Sequence, residues 1–165
     1  MGRGYLVLIA FLLAAPAFAQ EPVGCDKFKW PLDRERALLA SPTVVALGSE
    51  VLQPLAAAMM VTLVPFADAH LPTTPSRAPK SPDTYAGFVR VSALPKPATY
   101  RITLSQGAWI DVFQDGHEVK SSAFSGATGC DGVRKSVKFE LAAAPFIIEI
   151  SGTTARVIAI AVTPD

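Results

Sequence analysis

Tyr100, Ile102 and Leu104 alternate with Arg101, Thr103 and Ser105, the period of two expected of a strand with one buried face. Ala86 to Ala93, Ala108 to Gln114, Glu118 to Phe124, Ser136 to Leu141, Phe146 to Ser151 and Arg156 to Val162 read as further strands. Between them stand turn-forming breaks: Pro95-Lys96-Pro97, Gln106-Gly107, Asp115-Gly116, Gly126 to Gly132, Ala144-Pro145 and Ser151-Gly152. Short strands at spacings of about eight to twelve residues, with no helical insertions, predict a mainly β protein: an antiparallel sandwich or barrel, not a parallel sheet.

The pattern is weaker before Ala86. Thr43 to Leu47 and Ala56 to Val64 are strand candidates, with Ala56 to Met60 equally open to a helix. Leu71 to Pro82 holds Pro72, Pro75, Pro79 and Pro82, which excludes regular structure and predicts a surface loop. Pro31 to Ala40 reads as one short helix, with an early proline, apolar Leu32, Leu38 and Leu39, and Ser41-Pro42 as the stop. Its charges, Asp33, Arg34, Glu35 and Arg36, are expected on a solvated face. Phe28 and Trp30, two apart, suit an extended segment that buries one side. Residues 20–42 therefore form a leader with a short helix, and residues 43–165 the sandwich.

The start of the chain reads as an address. Arg3, an apolar run from Tyr5 to Ala15 and then Ala17-Phe18-Ala19 have the layout of a secretory signal peptide over residues 1–19, with cleavage expected before Gln20. The apolar run is too short to span a bilayer, and no later stretch is long and apolar enough. Gln20 in place of a cysteine argues against a lipid anchor. Cleavage takes Arg3 from the 15 bases and leaves the 14 acids, so the mature chain is near neutral, with no overall attraction to nucleic acid. Roughly 146 residues remain, enough for one core. The expected location is periplasmic or secreted.

Export bears on the two cysteines, which sit in matching settings, Gly24-Cys25-Asp26 and Gly129-Cys130-Asp131. An oxidising compartment and an even cysteine count favour a Cys25–Cys130 disulfide. Closing a loop of about 100 residues is worth on the order of 4 to 5 kcal/mol before any strain. Neither a Cys-x-x-Cys spacing nor a nearby histidine supports redox or metal use.

A set of motifs carries a resemblance: Cys25-Asp26-Lys27-Phe28-Lys29-Trp30-Pro31 leading to Arg34-Glu35-Arg36-Ala37, then Tyr100 to Leu104, Ala108 to Val112 and Gly132 to Ser136. In this order they resemble a family of small exported alphaproteobacterial proteins, over nearly the whole mature chain. Members of that family often carry the label homogentisate 1,2-dioxygenase. From Ala98 onward the pattern is also similar to the jelly-roll sandwiches of pre-peptidase C-terminal domains and carbohydrate-binding modules, which implies a jelly-roll-like fold.

The label implies iron, and such a centre takes two histidines and a carboxylate on one face. The chain has two histidines, and His117 and Glu118, adjacent on a strand, point to opposite faces. Asp68, His70 and His117 are the one available set, and using them leaves no histidine for acid–base work. The residues indicate no other cofactor: there is no Gly-x-Ser-x-Gly elbow, phosphate loop, dinucleotide motif or calcium series, and Asp115-Gly116 reads as a hairpin turn.

Binding candidates lie on two strands. Trp109, Asp111 and Phe113 share one strand face and Ile110 and Val112 the other. With Ile110 inside, the trio is a partly exposed aromatic platform; with Trp109 and Phe113 inside, Asp111 sits at an edge beside a polar partner. Both arrangements are open. Arg134, Lys135 and Lys138 form a modest basic patch suited to an acidic polymer, or a solvated strand end. These readings predict a non-enzymatic exported sandwich that binds an envelope polymer or protein, with a structural or assembly subunit and a metal-dependent dioxygenase as alternatives.

Overall fold

The computed structural model describes residues 20–44, 51–52 and 57–165. The expected signal peptide and parts of the two earliest strand candidates lie outside these residues. Among the described residues there are twelve strands: β1 Thr43–Val44, β2 Val51–Leu52, β3 Met59–Thr62, β4 Val64–Pro65, β5 Tyr85–Val91, β6 Ala98–Leu104, β7 Trp109–Gln114, β8 His117–Val119, β9 Ser121–Gly126, β10 Lys135–Leu141, β11 Phe146–Thr153 and β12 Val157–Pro164. An α-helix, α1, spans Asp33–Leu39.

The strands form two six-stranded sheets. The first runs β1-β3-β12-β6-β10-β9, and the second β2-β5-β11-β7-β8 with β4 also on β5. The central ladders are antiparallel, as the short loops require. The edge pairs β1–β3 and β2–β5 are parallel, a departure from the purely antiparallel expectation. With β3-β12-β6-β10 facing β5-β11-β7-β8, the strand order is that of a jelly roll. Glu118 to Phe124, expected as one strand, is two: β8 pairs with β7, β9 pairs with β10, and the chain changes sheets at Lys120. Asp115 and Gly116, with φ of 52° and 78°, make the β7–β8 turn, which needs left-handed backbone at both positions.

Alternation explains the core. Tyr100, Ile102 and Leu104 on β6, Phe146, Ile148 and Ile150 on β11, and Ile158, Ile160 and Val162 on β12 all point between the sheets. The other face of the first sheet is not solvated as alternation alone suggests. Thr103, Ser136 and Thr163 are buried there, because the leader and α1 lie over them. Ala159 and Ala161 have so little side chain that α1 approaches β12 closely and buries Leu32 and Leu39. Ser125 Oγ accepts from the Lys29 backbone N–H at 2.9 Å, and Ser136 Oγ from Trp30 Nε1 at 3.2 Å.

This packing corrects the reading of α1 as carrying a wholly solvated charge cluster. Glu35 is 2% exposed, accepts a hydrogen bond from the Thr163 hydroxyl and lies 3.6 Å from the Arg101 guanidinium. Asp33, Arg34 and Arg36 do face solvent. A Cys25–Cys130 disulfide fixes the leader to the loop after β9. Beside it the Gly24 N–H donates to Thr128 O and the Thr128 N–H to Pro22 O, both at 2.8 Å. The glycine before each cysteine has a structural cause: Gly24 and Gly129 have φ of 110° and 64°, and a Cβ on Gly129 would meet Val23 at 3.1 Å.

Candidate binding site

The outer face of the second sheet is built from β7 and β11, which are antiparallel neighbours with Asp111 opposite Glu149 and Phe113 opposite Ile147. On β7, Ile110 and Val112 enter the core, so Trp109, Asp111 and Phe113 face outward. Trp109 and Phe113 are half-buried, but Asp111 is only 4% exposed. Its cover is the proline-rich loop 71–82, whose prolines keep it irregular and leave its polar groups free to bond the sheet.

Two hydroxyl residues hang that loop on two carboxylates. The Ser76 hydroxyl donates to Asp111, and the Ser76 backbone N–H does so at 3.2 Å. The Thr73 backbone N–H and hydroxyl donate to Glu149 Oε1 at 2.8 and 2.7 Å. Glu149 is 1% exposed, and its second oxygen, Oε2, has no hydrogen-bond partner among the described residues. Burial pushes the Glu149 carboxyl above its ordinary 4.5; the Asp111 charge adds to this, and the Thr73 bonds oppose it.

The same loop carries Arg77 to Trp109. The Arg77 guanidinium and the Lys135 ammonium each lie 5.0 Å from the centre of the indole ring. Trp109 Nε1 donates to Ser76 Oγ and Asp111 Oδ1, both at 3.0 Å. Lys135 Nζ donates to Ala108 O at 2.8 Å. Burial, and next the Arg77 charge, lower the Lys135 ammonium below its usual range; Asp111 opposes this and Arg134 adds to it. Beyond the loop, half-buried Phe88, Ile147 and Phe113 continue the face, with Arg90 and Glu118 flanking Ile147 and Phe113.

Arg134, Lys135 and Lys138 point to three different neighbours. Arg134 pairs with Glu21 of the leader, and Lys138 pairs with Asp165 at 2.7 Å while lying over Trp30 of the leader, on the outer face of the first sheet. Lys135 alone joins Trp109. Arg77, Thr73, Ser76 and Glu149 carry no sequence motif, and no local pattern marks them: the loop's docking and the β7–β11 register bring them together.

Asp68, His70 and His117 are all exposed, and among the described residues no three His, Cys, Asp or Glu side chains are grouped to hold a metal ion. These residues do not fit the iron that the dioxygenase label implies. No helix among the described residues is long and apolar enough to cross a membrane.

Fold and site together describe a disulfide-stapled jelly-roll sandwich with one sheet face covered by its own leader and the other partly covered by a loop. The chain matches no protein-family model, no curated protein and no solved structure.

Proposed function

We propose that the protein is an exported, non-enzymatic binding module of the cell envelope, and that its ligand lies on the outer face of the second sheet at Trp109. The observation that carries this reading is the half-exposed indole with Arg77 and Lys135 both over its ring. A large rigid side chain with cations at its faces is an anchor of the kind that dominates binding surfaces. The expected signal peptide and the disulfide support the compartment.

Catalysis by the neighbouring acids receives less support. The Asp111 and Glu149 carboxylates lie beneath loop 71–82 and take its hydrogen bonds, so they serve the loop and are closed to a substrate above it. The test is binding of the mature chain to isolated envelope polysaccharides and proteins. Trp109→Ala should weaken capture at least about tenfold while melting near the wild-type temperature. Unchanged capture by the folded variant overturns the site.

A further inference from the structure

We infer that the ligand is an acidic polysaccharide, whose sugar carboxylates pair with Arg77 and Lys135 while a sugar ring packs against Trp109. This inference rests on the binding reading above and adds the chemical class of the ligand.

The chain has two tryptophans, and each has two cations over its ring. They differ in what balances the charge. Around Trp30, Asp165 meets Arg101 and Lys138, each at 2.7 Å, and Glu35 lies 3.6 Å from Arg101. That cluster is neutralised from within the fold, and its indole N–H is spent on Ser136. Around Trp109 the balance is incomplete. Among the described residues, no carboxylate lies within 4.0 Å of the Arg77 or Lys135 charge. Asp111 acts on the Lys135 charge, but its oxygens are taken by Ser76 and Trp109. Two cations beside one ring, with no direct ion pair to either among the described residues, make a site that an external anion completes.

The geometry selects a sugar acid over a simple ion. Arg77 is exposed and sits on a loop, so its planar guanidinium can leave the indole and grip a carboxylate through two parallel hydrogen bonds. That exchange frees the ring for the flat C–H face of a pyranose. Lys135 is held in place by Ala108 O and remains beside the ring as the second positive charge. A hexuronate carries its carboxylate at the edge of its ring, and so presents both features in one unit.

The experiment measures binding of the oxidised mature protein to polygalacturonate, to its methyl ester, and to polyglutamate. The ester keeps the sugar without the charge, and polyglutamate keeps the charge without the sugar. Polygalacturonate should bind at least about tenfold more tightly than either. Arg77→Ala and Lys135→Gln should each remove most of that preference, Arg77→Lys should restore part of it, and Lys138→Gln, on the neutralised side, should change nothing. Equal binding of the ester, with Trp109 still required, overturns the acidic class and leaves the binding site standing. Equal binding of polyglutamate overturns the sugar. If neither glycan binds, the inference fails, and capture of an envelope ligand through Trp109 then decides the binding reading separately.

Discussion

Glu35 and Glu149 are both carboxylates buried to within 2% of full enclosure, but their partners make them opposites. Glu35 faces Arg101 and the Thr163 hydroxyl, so its charge is compensated. Replacing it by glutamine keeps the size and removes that compensation, with an expected loss of about 1 to 3 kcal/mol in urea unfolding. Among the described residues Glu149 has no cation partner, and burial, with a smaller push from the Asp111 charge, raises its pKa in the folded state. Folding therefore favours its protonated form: the contribution is fully present below the ordinary 4.5 and is lost as pH rises through the raised value. Glu149→Gln cannot ionise and escapes that loss. The melting temperature of the variant relative to wild type should climb as pH is taken from about 4.5 upward. A constant difference across that range contradicts the assignment.

At the scale of elements, the loop over residues 71–82 and the leader do equivalent work on opposite sheets. Each covers a polar stripe and is held by hydroxyls: Thr73 and Ser76 reach down from the loop, whereas Ser125 and Ser136 reach up from the sheet. Ser76→Ala removes the hydroxyl that joins Asp111 to Trp109 Nε1. We expect faster proteolysis within 71–82 and a red-shifted tryptophan emission, with only a small fall in melting temperature, because the loop lies outside the inter-sheet core. A large fall with no change in proteolysis indicates instead that Ser76 supports the sheet itself. The strands were readily legible in the sequence because period two is a local property of each segment. The break at Lys120 was not, since residues 118–124 keep strand character while changing partners.

For the whole molecule, the disulfide is the covalent long-range constraint, joining positions 105 residues apart. Cys130→Ser should cost about 2 to 5 kcal/mol in chemical denaturation. The leader lies against the first sheet and closes its face, so cleavage of the 20–40 segment in the variant should accelerate as well. If reduced wild type and the variant are as stable as the oxidised protein, the leader is held by its packing and hydrogen bonds alone.

By itself the sequence determined the β-sandwich, the hairpin at Asp115-Gly116, the short helix and, through cysteine count and setting, the disulfide. These follow from nearest-neighbour periodicity, turn chemistry and simple arithmetic. It placed Trp109, Asp111 and Phe113 on one face and left open which way that face turned. Only the tertiary structure decided that Ile110 and Val112 are inside, that Asp111 stands opposite Glu149, and that Thr73 and Ser76 descend on these acids from 35 or more residues away while Arg77 reaches Trp109. It likewise decided that Thr103 and Glu35 are buried. Alternation records the side of a strand on which a residue lies; what comes to cover that side depends on segments distant in the chain.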